Sequence, residues 1–297
     1  MSGPGNLLGT IRPPFLILAP ACVLLGIATA VWSSADVRIV HCVVALVGAV
    51  CAHVSVNAFN EYFDFRSGLD ARTSRTPFSG GSGTLPARPE LARGALVVAI
   101  AAAGVTAAVG LYFLRVRGPS LLPLGLLGLL VVVAYTPWLT RSPVLCLVAP
   151  GLGFGTLMVM GTHFALTGAY SWTSFIASCV PFFLVSDLLL LNQFPDVEAD
   201  RSVGRRHLPI AAGRRASSLV YGAFLMLANV AVVVGVWLGY LPVACLIALL
   251  MLALAVPTAV GAYRHAEDVQ RLTPLMGRNV IINILMPVLV SVGLFLG

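Results

Sequence analysis

Lysine is absent from this chain, and charged residues of every kind are scarce. Only 10% of its 297 residues are charged, with 18 basic residues, all of them arginine, and 11 acidic ones. Soluble domains carry about 25% charged residues, so this composition excludes an ordinary soluble protein. It also argues against a protein that binds nucleic acid, because no soluble basic face is available for the contact. We therefore expect no nucleic-acid partner.

Apolar sequence fills the chain instead, with 59% hydrophobic residues and a mean hydropathy of +0.96. A membrane-spanning helix needs about 20 apolar residues, and nine stretches qualify as candidates. They are roughly 14–32, 38–60, 92–113, 119–137, 143–163, 173–195, 216–238, 240–262 and 277–296. This pattern predicts an all-α polytopic membrane protein with nine transmembrane helices in one bundle. Since no sequence is left for a soluble domain, residues 1–297 are expected to form a single transmembrane domain.

The arginines are concentrated on one side of the predicted membrane. The N-terminus and the loops after the second, fourth, sixth and eighth predicted helices hold 15 of the 18, and the other side holds Arg38, Arg115 and Arg117. Cytoplasmic loops are the ones enriched in basic residues. The N-terminus is therefore predicted to be cytoplasmic and the C-terminus external. We expect a multi-pass protein of the inner (cytoplasmic) membrane.

Two polar segments stand at matching places in the apolar sequence. Asn60 to Asp64 (NEYFD) follows the second predicted helix, and Asn192 to Asp196 (NQFPD) ends the sixth. Asp70 and Asp200 follow them, and the two segments are 132 residues apart. Because this offset covers four helices, the segments at 60–70 and 192–200 have the same orientation and form a parallel repeat. Both are predicted to open to the cytoplasm.

The chemistry of these segments favours a divalent-metal site. Carboxylates beside lipid are costly and usually functional, and carboxylate and amide oxygens are hard ligands that suit Mg²⁺, which also binds substrate phosphates. Arginines in the loops after both segments indicate that the metal carries a phosphate group. Solvated helix caps at the membrane interface are the alternative. Two segments in register on one side favour the metal site.

Side chains of the first segment share one helical face. His53, Asn57, Asn60 and Asp64 follow i, i+4, i+7 and i+11, which places them within about 60° of arc. His53 has two interpretations, a buried hydrogen-bonded histidine or a residue that contacts the acceptor and acts as a base.

The second segment predicts a similar but less regular face. Asn192, Asp196 and Asp200 follow i, i+4 and i+8, although Pro195 removes a helical hydrogen bond and should kink the helix there. Asp187 lies about 140° from Asn192 around an ideal helix, so it is expected to pair with a neighbouring helix.

The segments resemble the two aspartate-rich motifs of the UbiA superfamily of intramembrane prenyltransferases, and the resemblance covers essentially the whole chain. Tyr135-Thr136-Pro137 is also similar to that family. Three short segments resemble those of one branch of the family, namely Gly161-Thr162, Thr167-Gly168 and Arg12-Pro13. That branch prenylates 1,4-dihydroxy-2-naphthoate for menaquinone, a step of quinone biosynthesis. Two residues depart from the pattern: Glu61 stands where many members have Asp, and His207 stands where that branch often has a small residue.

The resemblance implies Mg²⁺-dependent transfer of an isoprenoid from a prenyl diphosphate to an aromatic acceptor within the membrane lipid. It implies catalytic roles for Asp64, Asp196 and Tyr135, whose ring would stabilise an allylic carbocation. The implied metal ligands are Asn60, Asp64, Asp70, Asn192, Asp196 and Asp200. The implied substrate-binding residues are Asn60, Asn192, Arg72, Arg75, Arg201, Arg205, Asn57 and His53.

Two alternative functions remain open from the sequence. The first keeps the ionisation of the diphosphate but uses another acceptor, namely 4-hydroxybenzoate, homogentisate, a glycerol phosphate lipid, or the prenyl chain itself in a terpene cyclase. The second is a non-enzymatic cation or lipid carrier with carboxylates at its gate. The glycine run Gly80 to Gly83 is likewise open to two interpretations, a phosphate-binding nest or a flexible loop that closes the mouth of the site.

Overall fold

The computed structural model describes residues 6–34 and 36–297, and these ranges contain helices and no strand. Three stretches of short helix lie in the loops, at Thr84–Ala87, Val197–Ser202 and Leu208–Ala212. The long helical segments are α1 (Leu18–Trp32), α2 (Ile39–Ser67), α3 (Ala92–Arg117), α4 (Leu122–Ala134), α5 (Pro143–Thr167), α6 (Trp172–Asn192), α7 (Arg214–Trp237), α8 (Val243–Arg264) and α9 (Val269–Leu296).

Seven of these segments are long and apolar enough to cross a membrane, which confirms a multi-pass helical membrane protein. They are α2, α3 and α5 to α9. The first predicted span is instead a bent pair, in which Leu7–Phe15 meets α1 at 48°. The fourth is a shorter apolar helix, Pro119–Ala134, which stops before Pro137 because a residue that precedes proline disfavours the helical conformation. The count of nine spans therefore stays a prediction.

The core of the bundle lies around α6. This helix packs against α5, α7 and α9, while α9 also packs against α1 and α8. The main buried cluster is built from Leu, Ala and Val side chains of these helices. Large apolar residues remain on the outer surface, for example Ile39 at 81% and Trp237 at 80% exposure. Such a surface suits lipid, which solvates apolar side chains without penalty.

Helices α5 and α6 approach each other unusually closely. A Cβ atom on Gly151 would lie 2.0 Å from the Phe182 carbonyl oxygen, and one on Gly155 would lie 2.4 Å from the Phe182 nitrogen. This small-xxx-small spacing lets helix backbones meet in a membrane. Directly after Gly151, α5 becomes a π-helix over Leu152–Val159. Such wider turns often occur at functional sites, and this one lines a cavity described below.

The close approach predicts different effects for two neighbouring glycines of α5. Gly155→Ala forces the backbones apart, so we expect it to lower the free energy of unfolding by about 1–3 kcal/mol, the usual cost of overpacking. Gly153→Ala is the matched control, because its Cβ would meet only Val131 Cγ1 at an ordinary 3.8 Å. Thermal unfolding in detergent measures both. Equal melting temperatures for the two variants would contradict this account of the α5–α6 contact.

Both motif-bearing loops meet at one end of the bundle. The guanidinium of Arg72, in the loop after α2, donates hydrogen bonds to the Ser202 hydroxyl at 3.0 Å and to its carbonyl at 3.4 Å. The N-terminal segment reaches the same end, where Arg12 Nε donates to Glu61 Oε1 at 2.8 Å. The predicted common orientation of the two polar segments therefore agrees with the contacts in the fold.

Candidate functional site

Two cavities adjoin at the end of the bundle where the motifs meet. The smaller is polar, has a volume of about 100 Å³, and is lined by all six predicted metal ligands: Asn60, Asp64, Asp70, Asn192, Asp196 and Asp200. The larger is apolar, has a volume of about 470 Å³, and is walled by residues of α2 to α6. Six residues line both: Arg12, Asn60, Phe78, Tyr135, Leu189 and Asn192. A polar mouth thus opens onto an apolar interior.

The first motif is carried by the continuous helix α2. The amide nitrogen of Asn60 donates to the Thr136 hydroxyl at 3.3 Å, and its oxygen accepts from Arg12. Asp64 lies one turn further, 6% exposed. Helix α2 then ends at Gly68, whose φ of 74° belongs to the left-handed region that suits glycine. This turn brings Asp70 back over the cavity.

The second motif is arranged differently from the predicted kinked helix. Helix α6 ends at Asn192, and a turn leads to the short helix Val197–Ser202. Pro195 lies in that turn, where it has no N–H to continue the helical bonding. Although the helix ends rather than kinks, Asn192, Asp196 and Asp200 all line the polar cavity.

Arg205 joins the two motifs electrostatically. Its guanidinium forms ion pairs with Asp64 of the first motif and with Asp200 of the second, the latter at 2.9 Å. Burial alone would lower the pKa of Arg205, but the charges of Asp64 and Asp200 raise it above its ordinary value. Asp200 also bonds His207 Nε2 at 2.9 Å. The guanidinium of Arg205 therefore forms ion pairs with two carboxylates that are far apart in the sequence.

Several oxygens of the polar cavity have no partner within the described ranges. Asp70 Oδ2, Asn192 Oδ1 and Asp196 Oδ1 are buried and make no hydrogen bond there. Burial and the neighbouring acids raise the pKa of Asp70 to about 7, and burial together with Asp200 does the same for Asp196. Carboxylates in this condition gain strongly from a cation.

The carboxylate and amide oxygens of the polar cavity therefore fit Mg²⁺ as part of its coordination. Across residues 6–34 and 36–297, no three His, Cys, Asp or Glu side chains are grouped closely enough to hold an ion by themselves. Mg²⁺ usually needs only one or two carboxylates when substrate phosphates supply further oxygens. The arrangement thus suits a metal that arrives with a phosphorylated substrate.

Three of the four predicted phosphate-binding arginines lie away from the cavity lining. Arg72, Arg75 and Arg201 are exposed, and none of them lines the polar cavity, whereas Arg205 does. Arg201 pairs instead with Glu198 at 3.2 Å. That Arg72, Arg75 and Arg201 contact the substrate stays a prediction.

Arg12 lines the site and Glu61 pairs with it, although the sequence assigned a site role to neither residue. Arg12 lines both cavities and adopts a left-handed conformation, with φ 49° and ψ 64°. Non-glycine residues in this region are strained, and such strain tends to occur at functional sites. Glu61 is fully buried and accepts from Arg12 and from Ser82 N and Oγ. In the sequence, these two residues were marked only by the family pattern: Glu61 stands where many members have Asp, and Arg12 belongs to the family-like dipeptide Arg12-Pro13.

The glycine loop lies across the polar cavity and contacts both motifs. Gly80 N donates to Asp196 Oδ2 at 3.2 Å, and Ser82 N donates to Glu61 Oε1 at 2.7 Å. Gly81 has a φ of 74°, and a Cβ there would lie 2.9 Å from Asp70 Oδ1. Gly80 and Gly81 therefore line the polar cavity, and the loop makes backbone hydrogen bonds to both motifs.

Asp187 lies away from both cavities. It is fully buried on α6 near Tyr221 of α7, and neither carboxylate oxygen has a hydrogen-bond partner among the described residues. No ion pair of Asp187 is found among the described residues, and its pairing with a neighbouring helix stays a prediction.

Comparison with known proteins agrees with this geometry. The model of the UbiA prenyltransferase family matches residues 17–279. The chain is 26% identical over 231 residues to the 1,4-dihydroxy-2-naphthoate octaprenyltransferase of Bacillus subtilis (strain 168), an alignment that covers 75% of this chain and 70% of the relative.

Solved structures show the same fold. The apo structure of a UbiA homolog from Aeropyrum pernix K1 superposes with a TM-score of 0.72 at 18% identity, covering 95% of this chain and 97% of the other. A UbiA homolog from Archaeoglobus fulgidus, bound to DMAPP and Mg²⁺, gives a TM-score of 0.67 at 16% identity, with coverage of 97% and 99%.

Proposed function

The chain belongs to the UbiA prenyltransferase family, and from that premise we propose that it transfers a prenyl group from a prenyl diphosphate to an aromatic acceptor in a Mg²⁺-dependent reaction. The observation that carries this proposal is the pair of adjoining cavities. The polar one collects the carboxylates and amides of both motifs, and the apolar one has room for an isoprenoid and an aromatic ring.

The diphosphate belongs in the polar cavity. Asn60, Asp64, Asp70, Asn192, Asp196 and Asp200 would hold the Mg²⁺ ions. When bound, these ions would neutralise the charge that develops on the diphosphate as the allylic C–O bond breaks. Arg205 and Arg12 lie in the same cavity, where their guanidinium groups match phosphate oxygens. Preorganised charges of this kind stabilise the transition state.

The prenyl chain and the acceptor belong in the apolar cavity. Tyr135 lines both cavities, so its ring lies where the allylic carbon would lose the diphosphate and can stabilise the cation. The electron-rich acceptor ring then attacks that carbon, and a proton leaves, or CO₂ if a carboxylated ring carbon is attacked. The apolar walls exclude water, which would otherwise capture the cation.

A hydroxynaphthoate is the acceptor that we propose first. Its support is the similarity to the Bacillus subtilis protein, named as a 1,4-dihydroxy-2-naphthoate octaprenyltransferase. The apolar lining agrees with it, because a bicyclic aromatic acid buries more apolar surface than a benzoate and gains more free energy from leaving water.

We also propose the topology on which this site depends. The chain would form one domain with nine spans, including the bent pair and the short α4. The arginine distribution supports a cytoplasmic N-terminus and an inner-membrane location. The polar cavity would then open to the cytoplasm, where a soluble diphosphate ester can enter it.

A product assay tests the function. Membranes containing the protein are incubated with geranyl diphosphate and 1,4-dihydroxy-2-naphthoate, and pyrophosphate and the prenylated ring are quantified. We expect both products with Mg²⁺, neither after chelation with EDTA, and recovery when Mg²⁺ is restored. A carrier would release no pyrophosphate under any condition, and a cyclase would release it without any prenylated ring.

A further inference from the structure

His53 lies deep in the apolar cavity without a hydrogen-bond partner. Its side chain is 5% exposed and lines this cavity, and its Nδ1 atom is buried and unpaired among the described residues. Of the two interpretations that the sequence left open, the hydrogen-bonded core histidine is therefore not the one observed. Buried polar atoms are nearly always paired, so an unpaired one on a residue that lines a cavity calls for a structural or functional explanation.

Two other polar side chains that line the same cavity donate hydrogen bonds within the protein. Asn57 Nδ2 donates to the Ile11 carbonyl at 2.9 Å, and Thr106 Oγ1 donates to the Ala102 carbonyl at 3.0 Å. These two groups are occupied in stabilising the fold. His53 differs from them because its hydrogen-bonding capacity remains free.

The imidazole of His53 packs against an aromatic ring. The ring of Phe154 meets it edge to face, with 4.6 Å between centroids and 79° between planes. Phe154 belongs to the π-helical segment of α5. Helix α2 places His53 two turns, or about 10 Å, inward from Asn60, which lines both cavities. An aromatic ring that enters beside Asn60 would extend toward this imidazole.

We propose that His53 hydrogen-bonds a ring hydroxyl of the aromatic acceptor and thereby positions the acceptor ring for attack. This assignment rests on the proposed prenyl transfer and narrows its substrate class to phenolic acceptors. A neutral imidazole offers one donor and one acceptor, which matches a hydroxyl group. A glycerol phosphate headgroup would be attracted to Arg12 and Arg205 of the polar cavity rather than to a neutral imidazole, and an isoprenoid alone has no polar group to offer.

The test compares acceptors that differ by one hydroxyl. With geranyl diphosphate as donor, kcat/KM is measured for 1,4-dihydroxy-2-naphthoate and for 1-hydroxy-2-naphthoate and 4-hydroxy-2-naphthoate, each of which lacks one hydroxyl. The variants are His53→Phe, which removes the polar atoms, and His53→Gln, which retains a donor and an acceptor. Because every variant meets the same acceptors, differences in intrinsic ring reactivity cancel in the comparison.

For each variant, the preference is kcat/KM for the dihydroxy acceptor divided by kcat/KM for an analogue. For one of the two analogues, we expect this ratio to be about 10-fold or more lower in His53→Phe than in the wild type. In His53→Gln the preference should largely return, and KM for geranyl diphosphate should change less than about 2-fold in both variants. His163→Phe is the matched control, because this buried histidine lies outside both cavities and bonds Thr29 at 3.0 Å.

Two negative results are distinguishable. If the wild type turns over the acceptors and both preferences are unchanged in His53→Phe, the role of His53 is wrong while the proposed function stands. If the wild type releases no pyrophosphate with these naphthoates, with 4-hydroxybenzoate or with homogentisate, the proposed function itself is wrong.

Discussion

Replacing either Asp64 or Asp196 with alanine is expected to lower turnover at least about 100-fold, the usual scale for losing a principal electrostatic contact in the transition state. Each carboxylate lines the polar cavity from a different motif. Neither can replace the other, because the oxygens that remain would bind the metal and the diphosphate from one side only. Steady-state prenyl transfer at saturating Mg²⁺ measures the effect.

Glu198→Ala is the matched control for these variants. Glu198 lies between Asp196 and Asp200 in the sequence, but its side chain is 73% exposed and it pairs with Arg201 outside the cavity. Surface ion pairs of this kind contribute little, so near-normal turnover is expected. Near-normal turnover in Asp64→Ala or Asp196→Ala would instead show that the assigned ligands are wrong.

Arg205→Met should also cause a large loss, again at least about 100-fold in kcat/KM. The substitution keeps most of the side-chain volume but leaves Asp64 and Asp200 without the cation that pairs with both. The two carboxylates would then repel each other and the incoming diphosphate. We expect KM for the prenyl diphosphate to rise as well as kcat to fall.

The adjacent Arg206 provides the control for Arg205. Its side chain is exposed and does not line either cavity, so Arg206→Met should remain within about 3-fold of the wild type. Equal losses in the two variants would mean that the loop acts through its general positive charge. The specific bridge between the motifs would then have no catalytic role.

Helical periodicity predicted the parts of the site that lie on one continuous helix. One face of α2 was predicted to carry His53, Asn57, Asn60 and Asp64. The first three line the apolar cavity, while Asn60 and Asp64 line the polar one. The offset between the two motifs predicted their common end of the bundle. These inferences succeed because spacing along a single helix determines which side chains share a face.

Contacts between distant segments could not be predicted in the same way. Arg205 and Asp64 are 141 residues apart, and Arg12 and Glu61 are 49 apart. Nothing in the sequence says that these partners meet, because the packing of the whole bundle decides it. Arg72, Arg75 and Arg201 looked equivalent to Arg205 in sequence, yet only Arg205 points into the cavity lining.

Local backbone changes were also beyond the reach of the sequence. Pro195 indicated a break near the second motif but not that α6 would end at Asn192. The apolar composition of α5 did not reveal its π-helical segment, which lies where Gly151 and Gly155 approach Phe182. That segment places Phe154 against His53, a contact that the sequence did not predict.

The claim at the centre of this account is that both motifs serve one diphosphate in one site. The most direct test is a double-mutant cycle with Asp64→Asn and Asp196→Asn, in which each substitution keeps the size of the side chain and removes one charge. Turnover and prenyl diphosphate affinity are measured for the wild type, both single variants and the double variant. Ligands that act as a unit lose their function together, so the double variant should be hardly slower than the slower single variant. Losses that multiply in full would contradict the account, because they would mean that the two motifs work as separate sites.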